Sequence, residues 1–152
     1  MLVRSPGYAF IGQYAVAESI KLKRAYAAPA PEDSVRILID RLWPRGVSRK
    51  TAKIDQWCKE VAPDTELRRW FGHDPARWTE FVQRYANELS GRKEQLDALR
   101  TLARKHRVTL VYAAHDEMHN HAIVLRNVLL GKSPTAVNKN QLKGGKHAKD
   151  LN

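Results

Sequence analysis

The chain has 152 residues, of which 43% are hydrophobic and 28% charged, with one cysteine and a formal net charge of +11 at pH 7. This composition is typical of one globular domain with its own core. The single cysteine, Cys58, excludes an internal disulfide, and no apolar run approaches the roughly 18 residues that cross a bilayer. We therefore predict a cytoplasmic protein without a membrane partner, in which Cys58 is a packed thiol.

The chain divides into three predicted regions. Residues 1–19 form an N-terminal extension without a convincing signal cleavage site. Residues 20–131 hold the apolar periodicity of a single domain. Residues 132–152 form a basic and flexible tail, because the stretch from Gly131 onward has five lysines against one aspartate (5 − 1 = +4) and little apolar spacing.

The first half of the domain contains two predicted strands. IKLKRAYA (20–27) alternates in part and indicates an edge or early strand, and VRILID (35–40) is rich in β-branched and aliphatic residues. The polar turn DRLWPRG (40–46) shares its first residue with the end of this second strand. The following segment, VSRKTAKIDQWCKEVAP (47–63), fits either a short strand or a loop.

Helical patterns dominate the second half. Asp64 or Thr65 is placed to cap a short helix that ends at Gly72, and two amphipathic helices follow over about 75–90 and 92–106. The run VTLVYAA (108–114) is apolar on both faces, which predicts a central strand covered by helices on each side. A last helix is expected over about 117–130. The alternation predicts an α/β fold with a small, at least partly parallel sheet covered by helices.

Polar residues follow both of the buried strands, VRILID and VTLVYAA. Ligands of open α/β sheets usually bind beyond the carboxyl ends of parallel strands. If the two strands are parallel neighbours, their polar clusters share one crevice, where arginines offer bidentate donors to a phosphate or carboxylate. We therefore predict a pocket for a small anionic ligand. Its predicted binding residues are Arg41, Trp43, Arg45, His73 and Asn120, and His119 and Asp116 are its acid/base groups if the pocket is catalytic.

Structural interpretations of the same residues stay open. Arg41 and Arg45 would also be explained by ion pairs with Asp40, Asp55 or Asp116, with Trp43 and Pro44 covering the turn. Asp116 is placed to cap the last helix, which would put His119 and Asn120 in its first turn. His73 beside Asp74 is either a pocket pair or a cap with its neighbouring loop residue.

The run HDEMHNH (115–121) does not favour a metal. His115 and His119 lie four residues apart, but His115 is expected to precede the helix, so the two side chains would not share one helical face. We predict no metal site. The sequence assigns no cofactor and no oligomeric state.

Three motifs together resemble the YeaO-like family of bacterial proteins, domain of unknown function 488. They are DRLWPRG, TELRRWFGHDPARW (65–78) and LVYAAHDEMHNHAIVLR (110–126), in this order and spacing. The resemblance covers about residues 20–131. It implies a small cytoplasmic α/β protein for which no reaction is established.

Two further functional classes remain as alternatives. The basic surface and tail suit a nucleic-acid-associated or regulatory protein. A helix-turn-helix is not favoured, because the single Gly91 leaves too short a turn between the two amphipathic helices. A structural interaction module is the third class, and an ion-paired crevice would favour it.

Overall fold

The computed structural model describes residues 19–136 of the chain as one α/β domain built on a four-stranded, wholly parallel sheet. The sheet order is β1-β4-β2-β3. The strands are β1 (Ile20–Arg24), β2 (Val35–Leu38), β3 (Gln56–Trp57) and β4 (Val108–Tyr112). The helices are α1 (Arg49–Ala52), α2 (Thr65–Phe71), α3 (Trp78–Ser90), α4 (Lys93–Lys105) and α5 (His121–Leu129), and short 3-10 turns occupy Pro31–Asp33, Lys59–Val61 and Pro75–Arg77. The predicted α/β class and parallel sheet are confirmed.

β4 is the central strand because it pairs on both sides. Ile20 of β1 and Val35 of β2 both lie opposite Val108. All five residues of β4 are buried, as expected for a parallel strand that has both faces covered. β2 therefore lies beside β4, as the crevice prediction requires.

Helices cover the first face of the sheet. α3 buries the stripe Phe81, Val82, Tyr85 and Leu89, and α4 and α5 add further aliphatic side chains to the same core. On the sheet side this core contains Ile37, Leu110 and their neighbours at alternate strand positions. These helices agree with the predicted periodicity of the second half.

The second face is covered mainly by indole rings, which corrects the expectation of helices on each side. Trp43 and Trp57, with Val47 and Ile54, pack over Leu38, Val111 and Ala25. The indole Nε1 of Trp43 donates to Val47 O (2.7 Å), and that of Trp57 donates to Asp40 O (2.7 Å). The turn after β2 thus folds back over the sheet, and only the four-residue α1 accompanies it.

A buried ionic cluster lies on this second face. Asp33 and Arg36 are 5% and 2% exposed, and their side chains approach to 2.6 Å, while Lys23 Nζ lies 3.0 Å from Asp33. Burial alone would raise the pKa of Asp33, but hydrogen bonds from the Ala30 N–H, Lys23 and Arg36 outweigh it and lower the pKa. Arg36 also donates through Nε to Ala52 O (3.0 Å). The cluster ties β1, β2 and α1 together.

The structure defines one segment that the sequence left undecided and corrects the predicted start of the last helix. The undecided segment 47–63 contains α1, β3 and a 3-10 turn. The last helix begins at His121 rather than near residue 117, and its N-cap is Asn120, whose Oδ1 accepts the Ile123 N–H (3.2 Å). The prediction that Asp116 caps this helix is therefore wrong, and so is the placement of His119 in its first turn.

The ends of the chain are described only in part. The predicted N-terminal extension up to residue 18 and the tail beyond residue 136 lie outside the described residues. Residues 132–136 are held against α5, because Asn127 Nδ2 donates to Pro134 O (3.0 Å) and Ala136 O (2.9 Å). Within residues 19–136, no helix combines the length and the hydropathy that a bilayer span requires.

Candidate functional site

A cleft of about 660 Å³ opens beyond the carboxyl ends of β2 and β4. The Ala113 N–H donates to Asp40 Oδ2 (3.1 Å), so the segments that leave the two strands meet at one edge of the sheet. The cleft is lined by six of the seven predicted site residues, namely Arg41, Trp43, Arg45, His73, Asp116 and Asn120. It is also lined by Arg68, His115 and His121, which were not among the predicted site residues.

Asp40 and His121 form a clasp at the base of the cleft. The Nε2 of His121 lies 3.0 Å from Ile39 O and 3.1 Å from Asp40 Oδ1. Because a carbonyl oxygen only accepts, Nε2 carries the proton and donates to Ile39. Asp40 Oδ1 is buried and makes no well-aligned hydrogen bond with any described residue, so its contact with His121 is electrostatic. His121 was not a predicted site residue, because the predicted last helix, over about 117–130, put His121 in its interior.

Arg41 braces the wall of the cleft. Its Nε donates to Pro63 O (3.1 Å) and its Nη2 to Ala62 O (3.1 Å). The carboxylate nearest to it is Asp64, whose Oδ1 lies 3.8 Å from Nη2. These contacts tie the turn after β2 to the segment that leads into α2. Ion pairs with the predicted aspartates, at positions 40, 55 and 116, do not form.

Arg45 and Arg68 are the uncompensated cations of the cleft. Both are exposed, and neither side chain makes a hydrogen bond or ion pair with the residues from 19 to 136. The Arg45 backbone is fixed, because its carbonyl accepts the Tyr26 hydroxyl (2.8 Å). Arg68 reaches the cleft from α2. The sequence pattern did not single it out, because an arginine on a short helix resembles any solvent-facing residue.

His73 reaches the cleft through an unusual backbone. It has φ +58° directly after Gly72 at φ +53°, so two successive residues adopt the left-handed conformation at the end of α2. A non-glycine residue in this region costs roughly 1 kcal/mol or more, and such positions cluster at functional sites. The Asp74 carboxylate accepts the Ala76 N–H (3.0 Å) and so caps the next turn instead of pairing with His73.

The two predicted acid/base residues pair with each other. Asp116 Oδ2 lies 2.9 Å from His119 Nδ1, and Oδ1 accepts the backbone N–H groups of Met118 (2.8 Å) and His119 (3.1 Å). Burial alone would raise the pKa of Asp116, but these hydrogen bonds outweigh it and lower the pKa. The His119 ring packs edge-on against Trp78 (5.3 Å between centroids) and is absent from the cleft lining.

Asn120 is 2% exposed, and both ends of its amide are used internally. Besides the cap described above, its Nδ2 donates to Asp116 O (3.0 Å). Its contribution to the cleft is therefore to fix where α5 begins. Among residues 19–136, no group of three or more His, Cys, Asp or Glu side chains is placed to hold a metal ion.

These features define the class as a small α/β protein with a parallel sheet and a crevice at the carboxyl ends of its central strands. The chain belongs to the DUF488-N3i family, described as the inactive DUF488-N3 subclade, whose model matches residues 19–144. The YeaO-like assignment made from the three motifs is thus confirmed.

The relatives are themselves without an assigned activity. An uncharacterised protein of Mycobacterium tuberculosis is 39% identical over 113 residues, which is 74% of this chain and 95% of that protein. The uncharacterised protein YeaO of Escherichia coli is 38% identical over 111 residues, 73% of this chain and 96% of that protein. No solved structure matches the chain.

Proposed function

We propose that the protein binds a small anionic ligand, a phosphate-bearing metabolite or a nucleotide, in the cleft, and that it does so without catalysing a reaction. The observation that carries this proposal is that Arg45 and Arg68 are uncompensated while the two carboxylates of the lining are engaged. Asp40 accepts from Ala113 and contacts His121, and Asp116 is held by its own turn.

Four backbone carbonyls around the cleft are engaged as well. Arg41 occupies the carbonyls of Ala62 and Pro63, and Arg24 donates to the carbonyls of Ala113 (3.5 Å) and Ala114 (2.9 Å). The cleft therefore offers open donors, and these acceptors are satisfied with the exception of Asp40 Oδ1, which is buried beside His121. A ligand that supplies acceptor oxygens suits it best, because charge-assisted bonds from guanidinium to phosphate or carboxylate are among the strongest.

The start of α5 adds to this preference. Asn120 and His121 line the cleft at the N-terminus of a nine-residue helix. Asn120 already accepts the Ile123 N–H, but the partial positive charge of the helix N-terminus still favours an anion nearby.

The size and walls of the cleft favour a metabolite over a bare ion. Small-molecule sites typically measure about 300 to 1,000 Å³, and this cleft falls within that range. Leu42, which is 62% exposed, and the rings of Trp43 and Phe71 supply apolar wall. We expect the arginines to hold the anionic group and this wall to contact the rest of the ligand.

Two observations favour binding without catalysis. The matching family is described as inactive. His119, the predicted acid/base, lies behind Asp116 and against Trp78 instead of in the lining. A purely structural module is less well supported, because Arg45 and Arg68 of the lining form no ion pair with residues 19–136.

Thermal unfolding with a panel of anions tests the proposal. The panel contains inorganic phosphate, pyrophosphate, and nucleoside mono- and diphosphates. We expect at least one organic phosphate to raise Tm, and Arg45→Ala/Arg68→Ala to abolish this shift by weakening binding on the order of 100-fold or more. Arg69→Ala is the matched control, since Arg69 is exposed on the same helix but lies outside the lining.

The proposal is wrong if no anion shifts Tm, or if the double variant responds as the wild type does. A shift that Arg69→Ala also removes would likewise contradict it, because the effect would then belong to general charge and not to the cleft.

A further inference from the structure

The ion pairs of the described residues leave the basic stretch 45–59 uncompensated. Residues 45–59 include five basic side chains and one acidic side chain (5 − 1 = +4), and Glu60 follows directly. That acidic residue, Asp55, accepts the backbone N–H of Arg36 (2.8 Å). The basic residues are Arg45, Arg49, Lys50, Lys53 and Lys59, and none of them forms an ion pair with residues 19–136.

Two of these cations are held in place by tryptophans. The Arg49 guanidinium lies 4.2 Å from the ring centroid of Trp43 and 5.4 Å from that of Trp57, and Lys59 Nζ lies 4.1 Å from Trp57. The two indoles pack edge-on (5.4 Å), and both are anchored to the backbone through their Nε1–H groups. Cation–π contacts thus orient the charges without neutralising them, which leaves their N–H groups available to a partner.

We propose that Arg49, Lys50, Lys53 and Lys59, the cationic surface over the second sheet face, bind the phosphate backbone of a nucleic acid. These four residues are absent from the cleft lining, so this partner differs from the ligand proposed for the cleft. Lys50 and Lys53 are exposed at α1 and just after it. Fixed cations without compensating carboxylates favour a polyanion, because binding releases its condensed counterions.

The composition of this surface favours a nucleic acid over a membrane or a protein as the partner. The large hydrophobic side chains exposed within residues 19–136 are Tyr26, Leu42 and Met118, and all three lie outside 45–59. The surface therefore has no apolar anchor for a membrane or for the core of a protein interface. α1 spans only four residues, which is too short to read base edges in a major groove. The contact is accordingly independent of sequence.

Fluorescence anisotropy with labelled single-stranded and duplex oligonucleotides of roughly 16 nucleotides per strand tests the proposal on the full-length chain. The wild type should bind in about 50 mM salt and weaken steeply towards about 200 mM. Lys50→Glu/Lys53→Glu should lower the affinity at least about tenfold and reduce the slope of log K against log salt by roughly 2, one phosphate contact for each lysine.

The matched control is Arg69→Glu/Arg104→Glu, which reverses two exposed charges on α2 and α4. Both double variants lower the formal net charge from +11 to +7 (11 − 4) and keep residues 137–152 unchanged. The control should bind within about threefold of the wild type, and circular dichroism should show both variants folded.

Three outcomes overturn the proposal. The wild type fails to bind any oligonucleotide at low salt, or the two double variants lose affinity equally, or neither of them loses any. Binding confined to anionic phosphatidylserine vesicles would instead assign the surface to a membrane. The cleft proposal is untouched by these results, because the thermal-shift test changes none of the four residues of the cationic surface, and none of them lines the cleft.

Discussion

Asp33 and Arg36 illustrate how strongly a single residue can be constrained by its neighbours. Arg36 is almost fully buried and depends on Asp33 for its charged partner. Replacing Asp33 with Ala leaves a guanidinium in the interior without a carboxylate, which typically costs roughly 3 to 5 kcal/mol. We expect urea denaturation of Asp33→Ala to show a loss of this size at pH 7.

An exposed pair provides the comparison. Glu80 and Arg84 approach to 3.2 Å on α3, with side chains that are 56% and 50% exposed. Glu80→Ala should change the free energy of unfolding by less than about 1 kcal/mol. Equal losses in the two variants would show that burial of the Asp33 cluster contributes nothing.

The same cluster predicts an acid limit. Since the pKa of Asp33 is lower in the folded protein than in the unfolded chain, its contribution is present above pH about 4 and is lost as pH falls through the folded value. The stability difference between wild type and Asp33→Ala should therefore shrink in acid.

At the scale of one element, substitutions at Asn120 and Asp116 test which residue caps α5. Asn120→Ala removes the side-chain acceptor of the Ile123 N–H and leaves the longer contact with the Asn120 carbonyl (3.3 Å), and we expect a loss of about 1 to 2 kcal/mol with faster hydrogen exchange at Ile123. Asp116→Ala should instead expose the N–H groups of Met118 and His119 and leave Ile123 protected. Protection that is lost at Ile123 only in Asp116→Ala would reverse this assignment.

The sequence predicted elements with strong periodicity and failed where spacing was ambiguous. The stripe of α3 repeats at steps of 3 and 4, which only a helix satisfies, and the apolar run of β4 is short and rich in β-branched residues, which favours a strand. Asp116 and Asn120 are four residues apart, and both residue types are good helix caps. Asp116 instead accepts the N–H groups of Met118 and His119 in its own turn, which leaves Asn120 as the cap. β3 pairs over two residues, too few for any alternation to show.

The cleft was predictable in position but not in the roles of its residues. Two polar clusters after two buried strands indicated the correct edge of the sheet. Arg41 donates to the backbone carbonyls of a distant segment, whereas Arg45 stays uncompensated. Which of the two roles an arginine takes depends on whether the fold places such carbonyls beside it. Sequence spacing carries no information about those carbonyls.

For the whole molecule, two buried tyrosines set an alkaline limit. Burial raises the pKa of Tyr112 to about 12, and it also raises the pKa of Tyr85, whose hydroxyl donates to Val61 O inside the core. The unfolded chain releases these protons near pH 10. The contribution of these two groups to the free energy of unfolding should therefore not change with pH below about 10 and should fall as pH rises above it.

Urea denaturation at pH 8 and pH 11 measures this effect against Tyr85→Phe/Tyr112→Phe. The variant starts from a lower stability because Val61 O loses its donor, but it should lose less than the wild type between the two pH values. Parallel losses would assign the alkaline sensitivity to other groups.

The sheet order also has a consequence for how the protein is made. The strand neighbour of β1 is β4, and Ile20 meets Val108 only 88 positions further along the chain (108 − 20). During synthesis, the backbone N–H and C=O groups of β1 therefore have no strand partner until nearly the whole domain has left the ribosome. Pairings of such long range delay folding and favour aggregation, so we expect refolding in milliseconds to seconds and a low yield from fragments that end before β4.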